Sequence, residues 1–301
     1  MLPRAAVTSL LICAMLGGCA SVPASPSTPS AGTQAQASSL VSPRQAASRV
    51  QALLPADVLL LGEQHDAPAH QQIQQAVVQA LAAQGVLAAL TLEMAPQGGS
   101  TAGLPVSAGE AQVRSALRWD DDAWPWTTYG PVVMEAVRAG VPVLGANLPR
   151  NQMRSAMQNK ALDNHLTLDG WQKQQENIRE GHCGLLPETQ IVPMARIQLA
   201  RDAAMAQTVL AGLRPGKVVV LIAGNGHADA ALGVPTHLER LATGLSQKSV
   251  RLSAVNDGVG EHVASKEVVW ITEAPPPRDY CAGMKAQMAP GKATAPAGMR
   301  P

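Results

Sequence analysis

The sequence predicts an α/β fold, with a mostly parallel sheet, helices on both of its faces and a smaller helical subdomain. Short apolar runs alternate with helical stretches along the chain, and these runs are continuous rather than alternating apolar with polar residues. Such strands are typical of a sheet that is buried on both faces. A third observation concerns residues 149–207, which contain no strand-like run and many Gln, Arg and Asn residues, as expected for a helical insertion.

The individual elements follow from composition and periodicity. β-branched and Leu-rich runs predict strands, and apolar residues three or four positions apart predict helices. The predicted strands are 57–61, 86–94, 141–144 and 217–223, and the predicted helices are 69–84 and 131–139.

Composition excludes several classes of protein. Of the 301 residues, 46% are hydrophobic and only 15% are charged, which excludes a disordered chain. The 23 basic and 22 acidic residues give a formal charge of +1, and this balance argues against nucleic acid as a partner. The chain has two Tyr residues and no Phe, so the core must be filled mainly by aliphatic side chains and Met.

The N-terminus has the layout of a bacterial lipoprotein signal peptide. Arg4 precedes an apolar stretch over 10–16, and Gly17 and Gly18 lead directly to Cys19. This junction resembles a lipobox, so we expect residues 1–18 to be removed and Cys19 to carry the lipid. The alternative is an ordinary secretory peptide with a chance Cys. In the first case a lipid anchor, rather than a helix, holds the protein to the membrane.

Composition divides the rest of the chain into three parts. Residues 19–40 are small, polar and uncharged, which predicts a flexible tether. The folded domain is expected over 41–284, with 149–207 as its helical lobe, and a disordered tail over 285–301. Because Ala20 follows Cys19 where an Asp would retain an enterobacterial lipoprotein at the inner membrane, we expect the outer membrane, on its periplasmic face.

The four cysteines are consistent with an oxidising compartment. Cys13 is lost with the signal peptide and Cys19 is lipidated, which leaves Cys183 and Cys281. We expect a disulfide between them. A Cys ligand to haem or zinc is less well supported, because neither residue lies in a Cys-x-x-Cys context.

Polar residues follow the predicted strands at the points where ligands bind in parallel sheets. They are Glu63, His65, Glu93, Asn147, Asn225 and His227. Asn147 and Asn225 also fit simple roles as cap or turn residues. Two Glu and two His are harder to explain in that way, because buried carboxylates need partners. The set is compatible with a divalent metal site or with a polar network around an organic ligand.

Seven motifs in one order, over about residues 55–281, carry a resemblance to a known family. They are LLLGEQHDAPAHQQIQ, LTLEM, W-x-W-x-x-YGPVVMEA, VPVLGANLPR, HC-x-x-LPE, Q-x-ARDAAMA and LIAGNGHADAALGVPTHL. The chain resembles the ChaN-type haem-binding, iron-regulated lipoproteins of Gram-negative bacteria. The wider group includes Tiki-type proteases and erythromycin-esterase-like proteins.

The resemblance implies a homodimer that encloses two stacked haems. Each iron is then held by a Tyr of one subunit, while His and Lys residues of the other meet the propionates. Tyr129 matches the family's Tyr, and a phenolate is a hard donor that suits ferric haem. From composition alone, a packing role with a locally bonded hydroxyl is the more natural interpretation of Tyr129. Tyr280, beside Cys281, is interpreted as structural.

The remaining ligand-binding residues are less closely determined. His227 is followed by Ala-Asp-Ala where many relatives have a basic residue, so one propionate contact is expected to be missing. Because the ends of the strands converge, we favour His65 and His227 over His70 and His182 as ligand-binding histidines. Three further residues are expected beside them: Glu63, Glu93 and Asn147. Lys160 and Lys173, in the helical lobe, are the candidate lysines.

The resulting hypothesis is a haem-binding lipoprotein in haem and iron uptake, storage or hand-over, a role that requires no catalysis. An outer-membrane haem receptor of the TonB-dependent type is a partner compatible with it. The alternative is a metal-dependent hydrolase of the Tiki or erythromycin-esterase type using Glu63, His65, Glu93 and His227. A third hypothesis is a scaffold without haem or metal.

Overall fold

A computed structural model describes residues 40–255 and 267–288 and confirms the predicted α/β class. Six parallel strands form one sheet in the order β3-β2-β4-β1-β5-β6. Their bounds are β1 Val58–Glu63, β2 Leu87–Pro96, β3 Val143–Asn147, β4 Val218–Gly224, β5 Gln247–Ala254 and β6 Glu267–Thr272. The predicted signal peptide, the lipidated Cys19, the tether as far as residue 39 and the tail from residue 289 onward lie outside the described residues.

Helices connect the strands within the described ranges. They are α1 Pro43–Arg49, α2 Pro68–Ala83, α3 Glu110–Leu117, α4 Trp126–Arg138, α5 Met153–Gln158, α6 Leu168–Gly181, α7 Glu188–Gly212, α8 Asn225–Ala228, α9 Val234–Leu241 and α10 Tyr280–Met288. Three short 3₁₀ segments cover Val50–Leu53, Arg150–Gln152 and Lys160–Asn164. None of the described helices combines the length and apolar character needed to cross a membrane.

The sheet is buried on both faces, which explains why its strands are continuously apolar. Leu59 and Leu61 of β1 pack in the same cluster as residues of α2 and α4. Leu60, between them in sequence, belongs to a second cluster with Met205 and Val209 of α7. Alternate side chains of a strand point to opposite faces, so both sets must be apolar when helices cover both sides.

The segment between β3 and β4 is helical, as the composition of 149–207 indicates. Helices α5 and α6 precede α7, which is 25 residues long and leads back to the sheet. Leu148, Met153 and Ile197 form part of a small separate apolar cluster. The Arg196 guanidinium also binds Asp163 in the 3₁₀ segment before α6, with an Nη2–Oδ2 distance of 2.6 Å. This insertion therefore has its own packing beside the carboxyl edge of the sheet.

A disulfide joins Cys183 to Cys281, the pairing expected from the sequence. Cys183 follows α6 in the helical insertion, and Cys281 lies in α10 at the C-terminal end of the described chain. Tyr280 precedes Cys281, and its hydroxyl donates a hydrogen bond to Asp66 Oδ2 at 2.6 Å. Through these contacts, the helical insertion is linked to the loop that follows β1.

We predict that replacing both cysteines, Cys183→Ser with Cys281→Ser, lowers the free energy of unfolding by about 2 to 5 kcal/mol, because the unfolded chain gains the freedom of a ~100-residue loop. Urea unfolding of the variant and of the oxidised wild-type protein measures the difference. Equal midpoints and slopes for the two proteins would contradict the prediction, and a non-reducing peptide map of the wild type supplies the control.

Candidate functional site

Parallel register brings the polar ends of three neighbouring strands together. β4 lies between β2 and β1, and Glu63 at the end of β1 is level with Gly224 at the end of β4. Glu93 extends from β2, and His227 lies in the short helix α8 that directly follows β4. Glu63 and Glu93 are each 2% exposed and His227 is 4% exposed. The site is therefore an interior network of charged groups at the carboxyl edge of the sheet.

The Glu63 carboxylate accepts hydrogen bonds from three elements. The Tyr129 hydroxyl of α4 donates to Oε1 at 2.6 Å, and His65 Nδ1 lies 2.8 Å from the same oxygen. The Gln71 amide of α2 donates to Oε2 at 2.9 Å. These contacts satisfy both oxygens of the buried carboxylate, which would otherwise be strongly destabilising.

Glu93 occupies the centre of the network. The backbone N–H of Gly224 donates to Oε2 at 2.7 Å, and His227 Nε2 lies 3.3 Å from Oε1. His65 Nε2 and Arg201 Nη2 each lie 3.8 Å from the carboxylate. Burial alone would raise the pKa of Glu93, but the surrounding cations hold it well below its usual value. Glu93 is therefore a fixed anion.

His227 lies between two carboxylates. Its Nδ1 is 2.6 Å from Asp202 Oδ1 on α7, on the opposite side of the ring from Glu93. Burial opposes protonation, yet Glu93 and Asp202 together raise the pKa of His227 to about 9. Burial raises the pKa of Asp202 in turn. At neutral pH His227 is consequently a cation, and both of its ring nitrogens carry protons.

Arg201 connects the network to β3. Its Nε donates to Asn147 Oδ1 at 2.9 Å, while its Nη2 faces Glu93. Asn147 ends β3 and is mostly buried, so its amide positions the guanidinium rather than capping a helix. The structure thus brings together the six predicted residues Glu63, His65, Glu93, Tyr129, Asn147 and His227.

Tyr129 lies beneath a layer of aromatic rings. It is 1% exposed, and Trp124 packs edge-on against both Tyr129 and His65 with ring centroids 5.7 and 4.8 Å away. Burial and the Glu63 carboxylate raise the pKa of Tyr129 far above its usual value. In this conformation Tyr129 is a protonated hydrogen-bond donor, and its oxygen is engaged inside the protein.

The other candidates lie elsewhere in contacts of their own. His70 Nδ1 accepts the Gln64 N–H and its Nε2 contacts the Thr272 hydroxyl. His182 Nδ1 lies 2.8 Å from the Ile178 carbonyl at the end of α6. Lys173 pairs with the neighbouring Glu176, and Lys160 is exposed at the start of a 3₁₀ segment. Tyr280 binds Asp66, which agrees with a structural role.

Sequence reasoning missed several residues of the network: Gln71, Trp124, Gln198, Arg201 and Asp202. Three of them fall in the motif Q-x-ARDAAMA, which interrupts the apolar face of a helix with Arg and Asp. The adjacent Arg and Asp, among small residues on a buried helix, could have indicated these contacts, because buried charges need partners on neighbouring elements.

Two cavities flank the network. One of about 420 Å³ is lined by His65, Asp66, Gln71, Thr127, Thr128 and Val132, among others. The second, of about 260 Å³, is bordered by Glu93, Trp124, Asn147 and Arg201. Within residues 40–255 and 267–288, no group of three or more His, Cys, Asp or Glu side chains is arranged to hold a metal ion.

Comparisons with known proteins agree with this architecture. A family model described as haem-binding uptake, Tiki superfamily, ChaN, matches residues 49–238. A structure of cofacial haem binding to ChaN of Campylobacter jejuni is 26% identical, with a TM-score of 0.56, over 68% of this chain and 85% of that one. No curated protein sequence matches the chain significantly.

Two further solved structures are more distant. The type III effector HopBA1 is 15% identical, with a TM-score of 0.44, over 78% of this chain and 94% of its own. An erythromycin esterase mutant in its open conformation is 13% identical, with a TM-score of 0.40, over 70% of this chain and 73% of its own.

We predict that His227→Gln lowers the free energy of unfolding at pH 7 by roughly 3 kcal/mol, because it leaves the buried Glu93 without its main cation. A group whose folded pKa is raised to about 9 contributes stability that is complete below its unfolded pKa of ~6.5 and is lost as the pH rises through 9. The wild type should therefore lose more stability than the variant between pH 7 and pH 10, as measured by urea unfolding.

The double variant Glu93→Gln with His227→Gln is the matched control for this experiment. The double variant should lose less free energy of unfolding than the sum of the losses in Glu93→Gln and His227→Gln, since neither partner is left buried alone. Strict additivity of the three free energies would refute the ion pair.

Proposed function

The chain belongs to the ChaN family of haem-binding uptake proteins in the Tiki superfamily, and from this premise we propose that it binds haem as part of haem uptake or hand-over. The observation that carries the proposal is the extent of the family match. Residues 49–238 include strands β1 to β4 and all six predicted residues of the buried network. The similarity to the ChaN structure from Campylobacter jejuni, whose cofacial haem binding is described, supports the same function.

Haem requires an apolar surface, partners for two carboxylates and an axial donor to iron. The 260 Å³ cavity offers the first two, since Met94, Leu148 and Met153 share its walls with arginines. Tyr129 is the residue that would donate to the iron, and in this structure its hydroxyl is bonded to Glu63. The residues therefore fit haem, on condition that the Tyr129 proton is given up on binding.

Glu63 is the group placed to take that proton. Its Oε1 is already the acceptor of the Tyr129 hydroxyl at 2.6 Å, so transfer needs no further movement of the two atoms. His65 and Gln71 bind the same carboxylate and hold it in position. When bound, ferric haem supplies the positive charge that makes a phenolate favourable at neutral pH. Trp124 covers Tyr129 and has to move for a ligand to approach.

We further propose that the mature protein is attached by lipid on Cys19 to the periplasmic face of the outer membrane. The support is the lipobox-like sequence before Cys19 and the charge-free segment after it. The same proposal includes a homodimer that encloses two haems, and haem transfer from a receptor of the TonB-dependent type. Both parts are supported by the resemblance to ChaN. Membrane fractionation of Cys19→Ser tests the anchor, since release of the protein or blocked processing is expected.

The hydrolase alternative receives less support from the geometry. Both ring nitrogens of His227 face carboxylates, Asp202 and Glu93, so this side chain is arranged as the partner of two anions. Both oxygens of Glu63 are occupied by donors from the protein. As arranged, these four residues bind one another and their neighbours in one network of hydrogen bonds and ion pairs.

We predict that Tyr129→Phe retains the fold but abolishes the phenolate-to-iron absorbance of the haemin complex, because the axial oxygen is removed. Glu63→Gln should weaken ligation and shift its onset to higher pH, since an amide does not accept the phenolic proton. Absorbance titrations with haemin over pH 6 to 9, with circular dichroism to verify folding, measure both effects.

The control for this pair is Gln79→Ala, an exposed position of α2 that leaves the phenol, its acceptor and the contacts of Glu63 in place. It should retain the absorbance of the wild type. A wild-type haemin spectrum in Tyr129→Phe would reject Tyr129 as the ligand, and an unchanged pH dependence of the absorbance in Glu63→Gln would reject the role given to Glu63.

A further inference from the structure

The smaller cavity lies where the helical insertion meets the ends of β2 and β3. Its walls combine Met94 of β2, Trp124 of the loop before α4, Leu148 after β3 and Met153 of α5. These side chains make an apolar recess of about 260 Å³. Pockets for whole drug-sized ligands are typically larger, so this recess has room for only part of such a molecule.

Three arginines border the same recess: Arg118, Arg150 and Arg201. Arg201 is engaged with Asn147 and Glu93, and Arg150 pairs with Asp120 at 3.1 Å. The Arg118 side chain is exposed and has no ion pair within the described residues. Two carboxylates, Glu93 and Asp120, also line the recess, so its five charged groups leave a formal charge of +1.

We propose that this arginine cavity binds the carboxylate groups of a flat, largely apolar anion, which for a haem-binding protein are the haem propionates. The inference rests on the proposed function and assigns the propionate contacts to this chain's own arginines. Guanidinium groups present paired N–H donors that match a carboxylate, and apolar walls accept the adjoining ring edge. The combination of three arginines with Met, Leu and Trp walls favours such a ligand over a fully polar anion such as phosphate.

The position of the cavity relative to Tyr129 agrees with this assignment. Trp124 forms a wall of the cavity on one side and packs against Tyr129 and His65 on the other. A ligand with its carboxylates on Arg118 and Arg150 thus has its apolar part next to the ring that covers Tyr129. The residue that follows His227 is Ala228 rather than a basic side chain, and Lys160 and Lys173 do not line the cavity. The arginines supply the cationic partners that those positions lack.

The test uses protoporphyrin IX and its dimethyl ester, neither of which contains iron, so that iron ligation does not contribute to binding. Wild-type protein should bind the free acid about tenfold more tightly than the ester, a difference expected for one or two charge-assisted hydrogen bonds. In the double variant Arg118→Gln with Arg150→Gln the acid should bind more weakly, so that its affinity equals that of the ester. Fluorescence titration measures all four affinities.

The double variant should retain the fold, because Arg118 and Arg150 are exposed, Arg150 with 62% of its side chain. Arg138→Gln is the matched control, since Arg138 is an exposed arginine at the far end of α4 and does not line the cavity. Its affinities should equal those of the wild type. Unfolding midpoints of the three proteins verify that the substitutions act locally.

Three results would overturn the cavity assignment. The first is equal affinity of the wild type for the acid and the ester, and the second is an unchanged preference in the double arginine variant. The third is absence of porphyrin binding by the wild type. The proposed iron ligation is tested separately, with haemin. If protoporphyrin binding depends on the arginines but haemin gives no iron–phenolate absorbance, the cavity assignment stands and ligation by Tyr129 is rejected.

Discussion

The buried Glu93 carboxylate is the constraint on which the arrangement of the site depends. An anion in the interior of a protein is tolerated only if enough donors and cations surround it. Here they come from β4 through Gly224, from α8 through His227, from the loop after β1 through His65, and from α7 through Arg201. Four separate parts of the chain must therefore be placed correctly before this one charge is stable.

This constraint also orders the second layer of contacts. His227 is cationic because Glu93 and Asp202 lie on its two sides, and Arg201 is held between Glu93 and Asn147. Charges of opposite sign thus alternate from the sheet into the helical insertion. Removing a member leaves its neighbour buried and unpaired, which is why such networks hold a conformation more strictly than apolar packing does.

Much of the central sheet could be predicted, because strands buried on both faces are recognisable from composition alone. The run of four apolar residues from Val58 identifies β1, and the carboxyl-edge rule places Glu63, Glu93, Asn147 and His227 together. Strands β5 and β6 were not predicted. In β5, Lys248 and Arg251 interrupt the apolar pattern, and the strand lies next to the edge strand, where the sheet is less enclosed. Strand β5 forms because it pairs with β1 and β6, rather than because its own residues prefer the strand conformation.

The partners within the site were harder to predict than its position. The motif containing Arg201 and Asp202 was recognisable as unusual, but which carboxylate or imidazole each would meet depends on how α7 crosses the sheet. The same holds for Tyr129, for which the family resemblance indicates an iron ligand, while its surroundings decide its protonation state. Side-chain identity is local information, whereas a hydrogen-bond partner such as Glu63, 66 positions away, is set by tertiary packing.

The covalent link between Cys183 and Cys281 has a consequence for the order in which the molecule is completed. Cys281 follows all six strands of the sheet along the chain, and Tyr280 beside it contacts Asp66, next to His65. During synthesis the strands β1 to β4 emerge long before α10 does. The loop that carries Asp66 and His65 is therefore fixed by a bond that forms only after α10 has been made and only where thiols are oxidised.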